Sequence, residues 1–365
     1  MNIPLFKTIY VARSKLLSIL IKIMPMKSLN VKYMGIELDN PIIVGASNLA
    51  TDLDKLKMAE ELGAAAIVFK SLFEEQIQLE RFQLDERLNE FNNLNAEMLT
   101  IHPHIEHAGP EEHLLNIRRA SESLSIPLIA SLNAVNADTW VRYARLLSQT
   151  GVKGIELNFY QIPSDFKKDA KKIEDEQINI VKEIKQNISI PISVKLSSDY
   201  TNILNFIQKL DRAGVDAFVL FNSFFEPDID IQKEKHINSL NFSKKGDYRK
   251  SLRYAGLLFE NVNADICSSH GILSGEDVVK LILSGASCVQ VVTTLYKNGL
   301  SQIKNIKNEL AEWMDGKNYG SLNEFRGKLS RNKLTGDQFV YKRAQYVDLL
   351  LNSEELSLYN RKMVT

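Results

Sequence analysis

From Pro41 onward, short runs rich in Ile, Val and Ala alternate with longer stretches that interleave apolar and charged positions at helical spacing. The runs cover residues 42–46, 65–69, 127–132, 154–158, 191–195, 217–221, 264–268 and 287–293. They are apolar at successive rather than alternate positions, which marks strands covered on both faces. The stretches between them predict helices over 53–62, 113–123, 138–149, 175–186, 203–213, 252–261, 276–283 and 301–314. Strand–helix alternation implies a parallel sheet with right-handed crossovers.

Four junctions end a helix with Gly just before a strand: Leu62-Gly63-Ala64, Thr150-Gly151-Val152, Ala213-Gly214-Val215 and Ser284-Gly285-Ala286. Glycine suits the left-handed position that closes a helix. Eight strand–helix units within about 270 residues predict an α/β fold of the (β/α)8 TIM-barrel type. The rival, a doubly wound open sheet, often carries a Gly-rich loop after its first strand, and here that position reads Ala46-Ser47-Asn48-Leu49. Two connections, 71–112 and 222–246, are longer than a helix and turn require. Both leave the C-terminal end of a strand, the face on which a barrel carries its binding loops.

Outside the barrel, expected over 28–330, lie a leader (1–27) and a charged helical tail (331–365). The leader carries Lys7, Arg13, Lys15, Lys22 and Lys27 and no acid. Its apolar block, 16–23, is shorter than the ~20 residues needed to span a bilayer. It fits a basic amphipathic helix in weak contact with a membrane surface, or a loosely docked leader. Lys+Arg and Asp+Glu both number 45, so no global charge points to nucleic acid. The basic residues between Lys233 and Arg253 read as a solvated face. Cys267 and Cys288 lie in apolar runs and form no CxxC pair, which fits core thiols and a cytoplasmic setting. His102, His104, His107 and His113 cluster, but no carboxylate stands at a ligand spacing, so no metal is expected.

The chemistry gathers where the runs end. In order these ends offer Ala46-Ser47-Asn48, Lys70-Ser71, Ser131-Leu132-Asn133, Asn158, Lys195, Asn222-Ser223, Ser269-His270-Gly271 and Thr293-Thr294. A barrel collects such residues in one pocket. The set holds no acid pair and no Ser-His-Asp spacing. It suits a flavin, which needs amide partners at its pyrimidine edge and a cation near N1 and the C2 carbonyl.

Across residues 29–329 the chain resembles the dihydroorotate dehydrogenase family, the FMN barrels of pyrimidine synthesis. The likeness rests on Asn40-Pro41 with Ala46-Ser47, Lys70-Ser71, Glu156-Leu157-Asn158, Val194-Lys195-Leu196 and Asn222-Ser223. Further on it rests on His270-Gly271-Ile272, Ser274-Gly275-Glu276-Asp277 and 284–290 through Thr293. The resemblance implies that Lys70, Asn158 and Lys195 contact FMN, with Ala46, Ser47, Ser71 and Asn133 beside them. It places the phosphate near His270, Gly271, Thr293 and Thr294. Asn95, Asn158, Asn222 and Ser223 become substrate-side positions.

Family members carry a Cys or Ser base in the loop after the Glu-Leu-Asn strand. This chain reads Phe159-Tyr160-Gln161-Ile162-Pro163. Tyr160 and Gln161 are then the catalytic candidates with Lys195. Gln161 offers an amide rather than a base, and a phenol, with a reference pKa of about 10, is a weak one near neutrality. His270 and Val292 stand where the family usually has glycine.

The resemblance implies hydride transfer from dihydroorotate, or a similar small cyclic compound, to flavin N5. Two alternatives stay open. One is a flavin-binding or regulatory barrel without turnover. The other is a lyase using Lys70 or Lys195 as a Schiff-base amine. A homo-oligomer, most simply a dimer, is the expected assembly.

Overall fold

A computed structural model of the chain describes residues 28–79, 110–223, 226–237, 242–334 and 338–351. The chain opens with a hairpin of β1 (Val31–Tyr33) and β2 (Ile36–Leu38). Its two-residue turn has φ of 54° at Met34 and 76° at Gly35. Positive φ at both central residues gives the turn whose twist matches the flanking strands. The Met34 N–H donates to Asp265 Oδ2 at 2.9 Å, and the Met34 side chain packs over Gly154. Both residues begin barrel strands, so the hairpin plugs the barrel's N-terminal end.

The units that follow are β3 (Ile42–Val44), α1 (Leu53–Glu61), β4 (Ala66–Val68), β5 (Leu72–Phe73), α2 (Pro110–Ser123), β6 (Leu128–Asn133), α3 (Ala137–Ser148), β7 (Gly154–Asn158) and α4 (Ala170–Asn187). Next come β8 (Ile192–Leu196), α5 (Ile203–Arg212), β9 (Ala217–Leu220), β10 (Asp228–Asp230), β11 (Lys235–Ile237), α6 (Arg249–Leu258), β12 (Asp265–Ser269) and α7 (Gly275–Ser284). β13 (Cys288–Val291), α8 (Thr293–Asn298), α9 (Gln302–Lys317) and α10 (Ala344–Leu351) complete the order. The parallel order β4-β3-β13-β12-β9-β8-β7-β6 closes through β4–β6. That is the eight-stranded (β/α)8 barrel expected from the alternation.

Register decides which side chains point inward. Directly paired residues on neighbouring strands share a face, and the face repeats every second residue. Ser131 pairs with Glu156 and Glu156 with Ser193. Asn158 pairs with Lys195, Lys195 with Val219, Val219 with Cys267 and Cys267 with Cys288. One inward set therefore holds Glu156, Asn158, Ser193, Lys195, Cys267, Ser269, Cys288 and Gln290. The opposite face packs against the helices, which explains why the runs lack a two-residue hydrophobic period.

Several bounds differ from the sequence expectation. The last barrel strand stops at Val291, and Thr293 opens α8 instead of ending the strand. α4 starts at Ala170, because the Asp169 carboxylate accepts from the Lys171 N–H at 2.6 Å. α6 runs from Arg249 and ends at Leu258, since Phe259 leaves helical geometry at ψ 126°. The second long connection contains the exposed β10–β11 hairpin. After α9 the chain crosses α7 and α6 in turns, burying Leu322 and Phe325; the Gly327 and Leu329 N–H groups donate to the Ile282 and Leu283 carbonyls. Among the described residues no helix is long and apolar enough to cross a membrane.

Candidate active site

The C-terminal ends of the barrel strands enclose a cavity of about 450 Å3, within the range of small-molecule sites. At its floor Lys195 projects from β8. Its Nζ donates to Gln290 Oε1 at 3.2 Å and lies 3.6 Å from Glu156 Oε1. Gln290 Nε2 donates to Glu156 Oε2 at 2.5 Å. Glu156 is fully buried beneath the wall, whereas Lys195 and Gln290 form part of it. Gly45 makes room for this group: a Cβ there would stand 2.7 Å from Val292 Cγ2 and 3.3 Å from Gln290 Oε1.

Lys70 enters from the end of β4. Burial pulls its ammonium below the usual lysine value, and no charged partner among the described residues offsets that. Behind it His113 is buried edge-on to the Phe69 ring, its Nε2 without a partner. Burial first, and the Lys70 charge second, push the His113 pKa down to about 4. His113 is therefore neutral near pH 7 and adds no second cation.

Asn158 ends β7. Its Oδ1 accepts from Asn222 Nδ2 at 2.8 Å, and its carbonyl accepts from Asn133 Nδ2 at 2.8 Å. With Oδ1 engaged, the donor half of the Asn158 amide faces the cavity. Ser71 and Ser131 hydroxyls meet at 2.7 Å. Ser47 lines the wall, and its Oγ is buried without a protein partner. Of the buried hydroxyls without a partner among the described residues, that of Ser47 is the one whose residue lines the cavity.

At the far end the Ser269-His270-Gly271 turn meets residues 242–248. His270 takes φ 72° and Gly271 φ 73°. A Cβ on Gly271 would stand 2.5 Å from the Tyr248 nitrogen. His270 Nδ1 contacts Ser243 Oγ at 2.9 Å, and Nε2 faces Asp247 Oδ2 at 3.5 Å. Burial lowers the His270 pKa, while Asp247 opposes that shift. Thr293 Oγ1 donates to Ser243 Oγ at 3.3 Å, and Lys297 Nζ to the Ser243 carbonyl at 2.9 Å. Phe73, Tyr160, Phe221, Phe242 and Tyr296 supply an aromatic surround.

Most of the strand-end candidates meet at this cavity. Ala46, Ser47, Lys70, Ser71, Asn158 and Lys195 line one part. Tyr160, Asn222, Ser223, His270, Gly271 and Thr293 line the rest. Three candidates lie off it. Gln161 is exposed and accepts from Gln177 Nε2 at 3.3 Å. Asn133 sits behind Asn158. Thr294 Oγ1 donates to the Leu273 carbonyl at 3.2 Å, tying α8 to the turn before α7. Asn95, His102, His104 and His107 lie outside the described residues.

Gln290, Ser243 and Glu74 escaped the sequence reading. Glu74 is buried after β5, where burial alone would raise its pKa. The Asn136 and Val135 N–H groups and the Asn136 and Gln78 side chains outweigh burial and hold it below the usual carboxylate value. Its one sequence signal was an acid directly after a strand-end aromatic.

The profile of the family described as Dihydroorotate dehydrogenase matches residues 90–314, well over half of the chain. The chain belongs to the dihydroorotate dehydrogenase family. It is 29% identical over 320 residues to a "Dihydroorotate dehydrogenase B (NAD(+)), catalytic subunit" of Thermoplasma volcanium, covering 83% of this chain and 98% of the relative. The Thermoplasma acidophilum protein of the same name is 29% identical over 318 residues, covering 83% and 99%. The "NAD-dependent dihydropyrimidine dehydrogenase subunit PreA" of Escherichia coli K12 is 23% identical over 329 residues, covering 84% and 78%.

The donor set fits a flavin. Among the described residues the wall carries two ammonium groups and no acid, with an unpartnered buried hydroxyl at Ser47. Such a wall suits a group that takes up negative charge.

Proposed function

We propose that this chain is an FMN-dependent dehydrogenase acting on the CH–CH bond of dihydroorotate or a closely related dihydropyrimidine. The observation that carries the reading is the meeting of Lys70, Lys195 and the Asn158 amide at one cavity whose described lining carries no acid. FMN, when bound, supplies the hydride acceptor. Lys195, held in place by Gln290, would be the cation that steadies negative charge on the bound ring. Its ion pair with Glu156 suits a standing charge better than a nucleophilic amine, which argues against Lys195 as a Schiff-base amine. Lys70, after β4, and Ser47, in the loop after β3, would be further contacts of the bound group.

Asn222 fixes the Asn158 amide, so that its donors point at the substrate side. Tyr160, two residues beyond Asn158 and on the wall, would accept the substrate proton as its phenolate, or relay it by passing its own hydroxyl proton to water. The turn at His270-Gly271, with Ser243 and Thr293, receives the phosphate.

A second reading, a flavin-binding barrel without turnover, draws on the absence of Cys and Ser from residues 159–163 and on Gln161 pointing away from the cavity. Anaerobic mixing of the flavin-loaded protein with dihydroorotate, dihydrouracil or dihydrothymine separates the two. Bleaching of the visible band by any of the three is the expected outcome. A band that survives all of them removes the dehydrogenase reading and leaves the binding one.

A further inference from the structure

The buried acid under the cavity floor has no part in holding a ligand, and its position gives it another task. Glu156 is 0% exposed and lies below the wall, while its two neighbours lie on the wall. Gln290 bridges the pair in the one amide orientation that serves both, oxygen toward the Lys195 ammonium and nitrogen toward the Glu156 carboxylate. Glu156 Oε1 accepts no hydrogen bond and stands 3.6 Å from Lys195 Nζ. At that distance the contact is one of charge, and it leaves the ammonium donors free. An ammonium carries three donors, and one is spent on Gln290. The others remain for whatever occupies the cavity.

We propose that Glu156, acting through Lys195 and Gln290, sets the reduction potential of a flavin bound at this mouth. The inference rests on the FMN reading above. Two electrons and one proton leave the ring of a reduced flavin with one negative charge. The floor responds to that charge with an ammonium close by and a carboxylate behind it. The ammonium attracts, the carboxylate repels, and the sum is weaker than a lone lysine would give. In so buried a setting the carboxylate is poorly screened, so its effect reaches the ring. Glu156 is then a positioning and tuning residue. It holds the cation in place and limits how strongly the site favours the reduced ring, which keeps the electrons transferable to an acceptor.

The test is the midpoint potential of the bound flavin, read by dye equilibration in the full-length holoprotein. Glu156→Gln keeps the shape and removes the charge. At fixed potential the ratio of reduced to oxidised flavin should rise about tenfold, a shift of about +30 mV for a two-electron couple. Glu156→Leu removes both the charge and the hydrogen bond to Gln290 and should shift the potential the same way. An unchanged or lowered potential in Glu156→Gln overturns the proposal, and so does a lowered one in Glu156→Leu. Should either variant fail to fold, the other decides alone, because each predicts a signed shift that a purely structural role would not produce. A wild-type protein that takes up no FMN would sink the reading beneath; a yellow protein with an unmoved potential would sink only this inference.

Discussion

Asn158 shows how much one strand-end residue does here. Its backbone carbonyl takes the Asn133 amide, its Oδ1 takes the Asn222 amide, and its own amide donors remain for the cavity. Tyr160 follows on the same loop, and the proposed proton transfer depends on its hydroxyl. Tyr160→Phe should lower kcat at least a hundredfold, in line with the usual worth of a positioned acid–base group, and leave FMN affinity within a factor of two or so. Steady-state kinetics beside a flavin titration checks both. Unchanged turnover would assign the proton to a solvent relay instead.

His113 makes a prediction about stability. Its folded pKa is about 4, below the reference of about 6.5 for an unfolded chain. The unfolded state therefore binds the extra proton first, and stability falls as pH drops from about 6.5 toward 4. Between pH 7 and pH 5 this one group should cost about 2 kcal/mol. His113→Phe keeps an aromatic edge against Phe69 and removes the titration. Denaturant unfolding at both pH values should show the variant losing less stability than the wild type.

At the scale of elements, the site is a set of loops pinned from behind. Glu74 ties the segment after β5 to the start of α3 through the Val135 and Asn136 N–H groups, and so fixes the backbone that carries Lys70, Ser71 and Phe73. The turn after β12 is pinned the same way to residues 242–248. Gly271 is the tightest point, with φ 73° and the Tyr248 nitrogen where a Cβ would lie. Gly271→Ala must both strain the backbone and push that segment away. We expect it to cost about 1–3 kcal/mol of stability and to weaken FMN binding more than substrate binding, as read by thermal unfolding and flavin titration. A variant as stable and as well loaded as the wild type would contradict the role given to this turn.

The elements themselves were largely legible, because continuous apolar runs, helical periodicity and glycine stops all agreed. The β1–β2 hairpin was not, since three-residue strands around Met34-Gly35 carry too short a pattern to show a period. Asp169 as a cap and the early start of α4 were missed for a related reason: the first turn of that helix is polar, and its apolar stripe begins later.

For the molecule as a whole, the barrel topology brings distant residues together, and this sets the limit of what sequence showed. Lys70, Asn158 and Lys195 were visible because each is a polar residue closing a buried run. Gln290 was not, because its meaning depends on Glu156, 134 residues away, and on a register that only the closed sheet defines. Ser243 sat in a basic loop that read as a solvated face, yet His270, Thr293 and Lys297 converge on it. The same topology stakes the account on one claim, that two lysines from β4 and β8 hold a flavin between them. FMN titration of the apoprotein, followed by quenching of flavin fluorescence, tests it most directly. The wild type should bind one FMN per chain, and Lys70→Met and Lys195→Met should each weaken binding roughly ten- to a hundredfold, the worth of a hydrogen bond to a charged group. Wild-type protein that leaves the fluorescence unquenched, or variants that bind FMN as tightly as it does, would contradict the account.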